Sequence, residues 1–318
     1  MKIAIVGAGM AGLSAGTSLF RAGHTVTLFD KARGPGGRMS TRRVATEFGD
    51  AQFDHGAQYF TVRDPAFAAQ VDRWSHAGHV ARWPAAGDGA WVGTPAMNAP
   101  VKALAQGLDV RWGSQVDRVD PDNGGWCILA EGSGCVRFDA VVIALPAEQA
   151  ARLLTSVDPA LATFATTAAS APCWTVMAAF ATELPIGADV MLADGGPIGW
   201  AARNSAKPGR GGPEAWVIQA SPDWSTAHLE DDPAAVIESL MAALTARAGA
   251  LPVRLPVRLP VRLSVTAHRW RYARSGSLGT GFRWDAARFL GLCGDWLIGP
   301  RVEAAWLSGY GLARAIGR

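Results

Sequence analysis

Lysine and tyrosine are scarce in this sequence of 318 residues, which has four lysines against 26 arginines and only three tyrosines. The 30 basic and 27 acidic residues leave a formal net charge of only +3. That balance lacks the strong positive charge typical of proteins that bind nucleic acid. The four cysteines, at 127, 135, 173 and 293, form no C-x-x-C pair and no zinc-ligand spacing. We therefore predict no nucleic-acid partner, no metal, and cysteines that are structural thiols in a reducing compartment.

Long apolar runs are also missing from the sequence. No stretch approaches the roughly 20 residues that a membrane-spanning helix needs. The N-terminal apolar run ends early in glycines, unlike a secretory signal. These patterns predict a cytoplasmic protein with no membrane partner. Hydrophobic residues still make up 49% of the chain, enough for a large core, and the length predicts about two domains.

The first 30 residues follow the pattern of a dinucleotide-binding unit. An apolar strand at 2–6 leads into the glycine-rich segment 7–12, then a helix at 13–21 and a second strand at 25–29, which ends at Asp30. The order strand, glycine turn, helix, strand and acid is that of a βαβ fold for a dinucleotide. A structural glycine turn without a ligand is the alternative.

Each glycine of this segment has a separate predicted role. Gly7 permits the tight turn, Gly9 allows the backbone to approach a pyrophosphate, and Gly12 lets the helix pack closely on the strand. The helix N-terminus would then point at anionic oxygens. Asp30 is expected to accept hydrogen bonds from an adenosine ribose.

A second glycine-rich segment, Gly34-Pro35-Gly36-Gly37-Arg38, follows soon after Asp30. Its position predicts a second close approach of the backbone to the same extended ligand. Arg38 could then neutralise pyrophosphate charge. A flexible surface loop is the alternative interpretation.

The middle of the chain contains the signals of further strands and helices. Asp64-Pro65 predicts a capped helix to about Trp74, Thr94-Pro95 predicts another, and the apolar run 140–145 predicts an interior strand of the nucleotide sheet. A second domain is predicted after about residue 146, with helices near 147–155, 158–168 and 233–248 and strands near 174–180, 198–203 and 216–220. The tetrapeptide Leu-Pro-Val-Arg occurs three times in tandem at 251–262, which predicts an extended edge segment arising from sequence expansion.

The last segment is predicted to return to the first domain. Residues 289–293 indicate a strand, Gly294-Asp295 a tight turn, and 301–316 a helix. Asp295 would bind polyol hydroxyl groups, and the N-terminus of the final helix would direct its partial positive charge at the far end of the ligand. An ordinary turn is the alternative for Gly294-Asp295.

These motifs together resemble the bacterial renalases, within the larger class of FAD-dependent amine-oxidase-like flavoproteins. The resemblance is carried by residues 6–13, 29–31, 36–39, 56–60 and 294–296, with further similarity at 91–93, 200–208, 267–273 and 299–309. The tandem repeat just before the His268 segment departs from the pattern. Only the middle segments distinguish renalases from their relatives.

The resemblance implies an α/β fold: a Rossmann-type FAD-binding domain with a second, mixed α+β substrate domain, as in p-hydroxybenzoate hydroxylase and the amine oxidases. The FAD-binding domain is expected to comprise residues 1–61, 96–168 and 270–318, and the substrate domain residues 62–95 and 169–269. The resemblance also implies non-covalent FAD. The expected reaction oxidises 2- and 6-dihydro-NAD(P) to NAD(P)+ by hydride transfer to flavin N5, and dioxygen is reduced to hydrogen peroxide.

The site residues implied by the resemblance fall into two sets. The expected FAD-binding residues are Gly7, Gly9, Met10, Ala11, Gly12, Asp30, Lys31, Gly37, Arg38, Ala57, Gln58, Val116, Asp295 and Val302. The expected substrate residues are Gln58, Tyr59, Phe60, Trp91, Gly93, Asn204, His268 and Arg301.

The residues themselves suit hydride transfer from a dihydropyridine, which needs orientation at flavin N5 more than an acid or base. His268 could orient a carboxamide or phosphate, or could simply satisfy a sheet. Arg301 could meet a substrate phosphate or be a solvated arginine, and Trp91 could stack on a base.

Two other functions stay open: a related amine oxidase or desaturase, and a flavin-binding redox sensor without turnover. The preference between NAD and NADP, the physiological acceptor and the oligomeric state also stay open.

Overall fold

A computed structural model describes residues 1–132, 134–249 and 261–317 of the chain. The helices in these ranges are α1 (Met10–Arg21), α2 (Pro65–His76), α3 (Ala99–Ala105), α4 (Ala147–Leu154), α5 (Pro159–Thr166), α6 (Pro222–Ala227), α7 (Pro233–Gly249) and α8 (Val302–Ile316). Short 3₁₀ turns lie at Gly37–Met39, Pro84–Ala86, Asn204–Ala206 and Asp295–Leu297. No helix in the described ranges is long and apolar enough to cross a bilayer.

The strands follow the order of the chain. The first nine are β1 (Lys2–Val6), β2 (Thr25–Asp30), β3 (Thr41–Thr46), β4 (Gly49–Asp54), β5 (Val80–Arg82), β6 (Trp91–Gly93), β7 (Asp109–Trp112), β8 (Val116–Asp122) and β9 (Gly125–Ala130). The others are β10 (Val136–Phe138), β11 (Ala140–Ile143), β12 (Ala171–Phe180), β13 (Val190–Leu192), β14 (Ile198–Arg203), β15 (Glu214–Ala220), β16 (Arg262–Arg274), β17 (Arg283–Asp285) and β18 (Leu290–Leu292).

A six-stranded sheet of order β17-β18-β11-β1-β2-β7 forms the first part of the molecule and contains the strands on either side of the glycine segment 7–12. Its strands are parallel except for β17, which is antiparallel to β18. Strand β11 is fully buried between β1 and β18, so the prediction of an interior strand is confirmed. Continuous apolar strands suit this position because a parallel sheet is covered on both faces.

A five-stranded antiparallel sheet of order β13-β14-β15-β12-β16 forms the second part. Because side chains alternate along a strand, its two faces carry different residues. One face, with Val176 and Ile218, packs in a core with α7. The other face, with Met177 and Val217, packs against Phe53 of the β3–β4 hairpin.

The predicted fold class is therefore confirmed: a Rossmann-like unit with a mixed second unit. The predicted domain limits stay a prediction. Strand β16 runs without interruption across the expected limit between residues 269 and 270. Residues of the 62–95 segment, such as Phe67 and Trp83, share a core with α1 and α8.

The prediction of a helix that begins at Thr94-Pro95 is wrong. Helix α3 begins only at Ala99, and the Thr94–Pro95 peptide bond is cis. The Thr94 hydroxyl donates to the Gly78 carbonyl at 2.6 Å instead of capping a helix. The Met97 N–H donates to the Asp54 carboxylate at 3.1 Å. Hydrogen bonds to distant residues therefore determine the conformation here, although the local sequence favours a helix.

The prediction that all four cysteines are free thiols is wrong for two of them. Cys127 and Cys135 form a disulfide across the β9–β10 hairpin, with Cα atoms 5.5 Å apart. The hairpin pairing brings the two residues together, which their spacing of eight positions did not signal. Cys173 and Cys293 are free, and burial raises their pKa values to about 11 and about 12. The predicted edge segment 251–262 lies outside the described residues except for Val261 and Arg262.

Candidate functional site

The first glycine segment joins β1 to α1 in a turn that has no room for a Cβ atom at Gly7 or Gly12. Gly7 has a φ of 104°, a conformation that favours glycine. A Cβ atom on Gly12 would lie 1.9 Å from the Gly7 carbonyl oxygen, so the helix packs directly on the turn. A Cβ on Gly9 would meet nothing within 4 Å. Helix α1 has no side-chain N-cap, which leaves its first N–H groups for an anionic ligand.

Asp30 is fixed beside this turn at the end of β2. Its carboxylate accepts hydrogen bonds from the Ala8 N–H at 2.7 Å and the Ala32 N–H at 2.8 Å. A carboxylate has about four acceptor positions, so two remain for ribose hydroxyl groups. The Asp30 carbonyl accepts from the Ser114 N–H at 2.9 Å, which places Val116 on the segment that passes this site. Lys31 is exposed.

Arg38 and Asp295, 257 positions apart, meet in a bidentate ion pair. The two N–O distances are 2.8 and 2.6 Å, and the Ser275 hydroxyl donates to the same carboxylate at 3.0 Å. The position of a Cβ on Gly37, next to Arg38, would lie 3.7 Å from the Gly9 Cα. The second glycine segment and the C-terminal turn therefore converge on the first.

The Gly56–Ala57 backbone lies against the backbone of Arg38. The Ala57 N–H donates to the Arg38 carbonyl at 2.8 Å, and a Cβ on Gly56 would be 2.1 Å from that oxygen. Helix α8 packs as closely on α1: a Cβ on Gly309 would be 2.0 Å from the Ala11 carbonyl. We use the term cofactor cradle for residues 7–12, Asp30, 37–38, 56–57 and Asp295.

The N-terminus of α8 is fixed to the rest of the molecule by Glu303. This buried carboxylate accepts from the Arg63 N–H at 2.6 Å and the Asp64 N–H at 2.8 Å. Val302 begins the helix and is half-buried. Arg301 is the exposed N-cap residue and makes no side-chain capping bond. The predicted roles of both residues stay predictions.

A fully buried ion cluster lies directly before the Gly56 segment. The Asp54 carboxylate contacts the Lys207 Nζ at 3.2 Å and the Arg210 guanidinium, and all three side chains are 0% exposed. The Thr41 hydroxyl donates to the same carboxylate at 2.6 Å. Burial acts to raise the pKa of Asp54, but Lys207 and Arg210 outweigh it and lower this pKa to about 2. Burial lowers the pKa of Lys207 to about 8, against the opposing effect of Asp54.

Two amide side chains expected to contact ligands have partners within the protein. Gln58 receives a hydrogen bond from the Lys207 Nζ at 3.2 Å and donates to the Gly56 carbonyl at 3.1 Å. Asn204 is 0% exposed, accepts from the Asp54 N–H at 3.3 Å and donates to the Gln52 carbonyl at 2.8 Å. These contacts make both side chains part of the scaffold around the cradle, and their contacts with ligands stay predictions.

Aromatic and imidazole rings from the antiparallel sheet meet rings from the segment that follows β4. We define the aromatic wall as Tyr59, Trp200, His55, His268 and Trp270. Tyr59 and Trp200 have ring centroids 5.4 Å apart, and His55 lies 5.1 Å from His268 and 5.2 Å from Trp270. The Trp270 Nε1 donates to the His55 carbonyl at 2.8 Å. The wall thus includes the predicted residues Tyr59 and His268, in two groups of rings in contact.

Both histidines of the wall are neutral near pH 7. Burial, followed by the nearby His268 and Arg42, lowers the pKa of His55 to about 4. Burial and the charge of Arg42 also lower the pKa of His268. Neutral imidazoles can each donate one N–H and accept at the other nitrogen. The wall therefore offers hydrogen bonds and flat surfaces without a charged acid or base of its own.

Three other predicted substrate residues flank the 62–95 segment, with Phe60 just before it and Trp91 and Gly93 near its end. Phe60 and Trp91 exchange two backbone hydrogen bonds of 2.9 and 2.8 Å. The Arg82 guanidinium lies 4.2 Å from the centroid of the Trp91 ring. A Cβ on Gly93 would be 2.5 Å from the Ala96 carbonyl, so this glycine allows a tight backbone turn. The structure places Phe60 and Trp91 together next to Tyr59.

Sequence reasoning missed several residues that shape the site, namely His55, Trp270, Trp200, Asp54, Lys207 and Arg210. His55 and Asp54 stand in the same segment as Gln58 and Tyr59, and Trp270 stands two positions after His268. Residues two apart on a strand share a face, so β16 alone could have indicated Trp270. No sequence signal pairs Lys207 with Asp54, because they are 153 positions apart.

The chain belongs to the flavin-containing amine oxidoreductase family. The model of that family matches residues 75–316, and the model of an NAD(P)-binding Rossmann-like domain matches residues 5–74. The protein is therefore a flavin-type oxidoreductase of the amine oxidase family. Membership of the family implies a flavin cofactor.

Solved structures of the same fold support this assignment at the level of architecture. A putative protoporphyrinogen oxidase from Exiguobacterium sp. 255-15 has a TM-score of 0.74 and 12% identity, with 99% of this chain and 98% of that chain covered. Cyclohexylamine oxidase from Brevibacterium oxydans IH-35A has a TM-score of 0.72, 12% identity and the same coverage. An oxidoreductase from Methanosarcina mazei has a TM-score of 0.64 and 15% identity, covering 99% and 100%.

The cofactor cradle fits a flavin dinucleotide. The uncapped N-terminus of α1 and the open side of Gly9 suit a pyrophosphate, and the free acceptor positions of Asp30 suit a ribose. Arg38 adds a cation at the same point, since its guanidinium has further donors beyond the two used by Asp295. Within residues 1–132, 134–249 and 261–317, no group of three or more His, Cys, Asp or Glu side chains is arranged to hold a metal ion.

Proposed function

We propose that this protein is an FAD-dependent oxidase of isomeric dihydronicotinamides, which converts 2- and 6-dihydro-NAD(P) to NAD(P)+. FAD would be held without a covalent bond. Cys293, two positions before Asp295 in the sequence, supports this: it is fully buried, and burial raises its thiol pKa to about 12. A buried protonated thiol is a poor nucleophile for flavin attachment.

The excess of positive charge around the aromatic wall is the observation that carries the proposal. Arg42, Lys207 and Arg210 lie near the wall or the adjoining Gly56 segment. In the described part of the chain, Asp54 is the one carboxylate that Lys207 and Arg210 contact, and Arg42 contacts none. A protonated amine would be repelled by this field, whereas a phosphate-bearing dinucleotide would be attracted. The charge therefore favours an anionic donor over a cationic amine.

The residues of the wall suit what such a donor requires. Bound flavin supplies the hydride acceptor, and its reoxidation by dioxygen gives hydrogen peroxide. Tyr59, Trp200 and Trp270 offer flat surfaces for a dihydropyridine ring. The neutral His268 can donate one hydrogen bond to the donor molecule. Because loss of hydride restores the aromatic pyridinium, no group of the protein has to remove a proton from the donor.

A second candidate, the oxidation of an amine, is favoured by a different observation. Tyr59 and Trp200 face each other at 5.4 Å with 34° between their ring planes. The two rings pack on each other and form one apolar surface on which a neutral amine can lie. One structural neighbour is named as a cyclohexylamine oxidase. The competing charge argument makes this the weaker of the two proposals.

Anaerobic rapid mixing of the holoenzyme separates the two candidates. The oxidised flavin absorbance is followed after mixing with 2-dihydro-NAD, 6-dihydro-NAD, ordinary NADH or cyclohexylamine. The proposal expects fast bleaching by at least one of the two isomers and slow or no bleaching by the amine. Fast bleaching by the amine together with none by either isomer would overturn it.

A further inference from the structure

We propose that Arg42, with the adjoining imidazoles of His55 and His268, binds an oxyanion of the substrate, and that this oxyanion is a phosphate of the dihydronicotinamide nucleotide. The oxyanion site follows from the arrangement of this chain's own side chains. Its assignment to a phosphate of the donor rests on the function proposed above. Neither Arg42 nor His55 was singled out by the sequence.

The position of Arg42 follows from the register of the β3–β4 hairpin. Arg42 pairs with Phe53, and Val44 pairs with Ala51, so these residues lie on one face of the hairpin. That face packs on the antiparallel sheet through the core formed with Met177. Arg42 therefore points toward the sheet, whereas its neighbour Arg43 points away and is exposed.

His268 comes from the facing strand. It pairs with Thr175 two positions before the Thr266–Met177 pair, so Thr266 and His268 share the face that meets the hairpin. The His55 and His268 rings have centroids 5.1 Å apart, and after burial the charge of Arg42 is among the causes that lower the pKa of both imidazoles. The hairpin and the sheet thus bring one cation and two neutral imidazoles to one point.

Several polar groups at this point have no partner. In the described ranges, with gaps at 133 and 250–260, no ion pair or side-chain hydrogen bond involves the half-buried guanidinium of Arg42. The His55 Nδ1 and the Thr266 Oγ1 are buried without a hydrogen-bond partner, and His55 is only 6% exposed. Buried polar groups nearly always have partners, so this concentration of unpaired atoms indicates a missing ligand.

The chemistry of these groups selects an oxyanion. An arginine fork and imidazole N–H donors together match phosphate or carboxylate oxygens. A neutral carboxamide would leave the guanidinium charge uncompensated and partly desolvated, which is costly. The dihydronicotinamide nucleotides carry phosphate close to the ring, and this is the oxyanion that we assign.

Direct binding tests the site independently of turnover. The oxidised holoenzyme is titrated by calorimetry at constant ionic strength with inorganic pyrophosphate or with acetate. We expect Arg42→Gln to weaken pyrophosphate binding about 10- to 100-fold. The matched variant Arg43→Gln, one residue along on the exposed face, should bind as the wild type does. Equal affinities in the wild type and Arg42→Gln, or equal losses in both variants, would overturn the site. Acetate binding as tight as that of pyrophosphate would overturn the phosphate assignment.

Flavin reduction by a matched pair of donors then tests the assignment in the reaction. The pair is 2-dihydronicotinamide mononucleotide and the corresponding riboside, which lacks the phosphate. In the wild type, we expect the half-saturating concentration of the riboside to be about tenfold higher than that of the mononucleotide. Arg42→Gln should remove this difference between the two donors. If the wild type has the same half-saturating concentration for the mononucleotide and the riboside, the phosphate assignment is overturned and the proposed function stays intact. If neither donor reduces the flavin, the proposed function and the phosphate assignment fail, and the pyrophosphate titration still decides the site.

Discussion

The cofactor cradle and the aromatic wall are built in different ways, although they adjoin at the Gly56 segment. The cradle consists largely of backbone: Gly7, Gly12 and Gly56 stand where a Cβ would meet a carbonyl oxygen, and helix α1 has an uncapped N-terminus. The wall consists of side chains from β14, β16 and the loop after β4. The cradle therefore depends on residues that are almost irreplaceable, and the wall on rings that can vary with the substrate.

This difference separates the two halves of the function. A backbone site recognises the parts that flavin dinucleotides share, namely pyrophosphate and ribose. Side chains on a sheet can change without disturbing that recognition. Family members with the same cradle can therefore accept different donors, which is why the family alone does not give the substrate.

The largest expected effect comes from Asp54, because the buried ion cluster holds the cradle and the wall together. Asp54→Asn leaves Lys207 and Arg210 buried without a counter-charge, which should lower the free energy of unfolding by about 3–5 kcal/mol. Chemical denaturation of the two proteins measures the difference. Asp50→Asn, an exposed change on the same strand, is the control and should have almost no effect. A small loss for Asp54→Asn would show that the two regions are held together by other contacts.

The same carboxylate predicts an acid-sensitive stability. The pKa of Asp54 is lowered from 3.8 to about 2 in the folded protein, so the unfolded chain takes up the proton first as the pH falls. The resulting stabilisation of about 2 kcal/mol is complete above about pH 5 and is lost progressively toward about pH 1. When denaturation is measured at pH 5, 4 and 3, the free energy of unfolding should fall more steeply for the wild type than for Asp54→Asn. Parallel curves would contradict this assignment.

A smaller change should affect the cradle alone. Arg38→Gln removes the bidentate pair with Asp295 and a cation close to the first glycine segment. We expect the dissociation constant for FAD to rise about 10- to 100-fold, because charge-assisted hydrogen bonds are lost. Titration of flavin-free protein with FAD measures it, with the exposed Arg33→Gln in the same loop as the control. Equal affinity in both variants would remove Arg38 from the cofactor site.

The smallest expected effect concerns the wall alone. Trp270→Phe keeps an aromatic ring beside His55 but loses the indole donor to the His55 carbonyl. The loss of one hydrogen bond, about 1 kcal/mol, should raise the half-saturation for the reducing donor about fivefold and leave FAD affinity unchanged. Trp126→Phe, which removes an indole donor to the Arg288 carbonyl far from the wall, is the control. A change in FAD affinity for Trp270→Phe would contradict the division into two regions.

The cradle could be predicted from the sequence because its signals are local. The segment 7–12, Asp30 and the strand and helix around them follow one another, and each type of residue has one physical reason to be there. The pairing of Arg38 with Asp295 was not predicted, although each residue was expected near the ligand. Their separation of 257 positions gives no local pattern to read.

The wall and the ion cluster could be predicted only in part. His268 and Tyr59 were expected through the family resemblance, but Trp270, His55 and Lys207 depend on the register of β16 and on contacts between distant loops. The capped helix expected at Thr94 failed for the same reason. A threonine followed by a proline favours a helix start in the local sequence. In the structure, the Thr94 hydroxyl instead donates a hydrogen bond to the Gly78 carbonyl, and no helix begins there.

The most direct test of the central claim compares FAD with FMN. The claim is that segments 7–12, 37–38 and the turn at Asp295 bind one elongated dinucleotide together. Flavin-free protein is titrated with each cofactor, and the quenching of flavin fluorescence is followed. The account predicts one FAD per chain and FMN binding at least about 100-fold more weakly, because FMN lacks the adenylate half that residues 7–12 and Asp30 would hold. FMN binding as tight as that of FAD, or no binding of either, would contradict it.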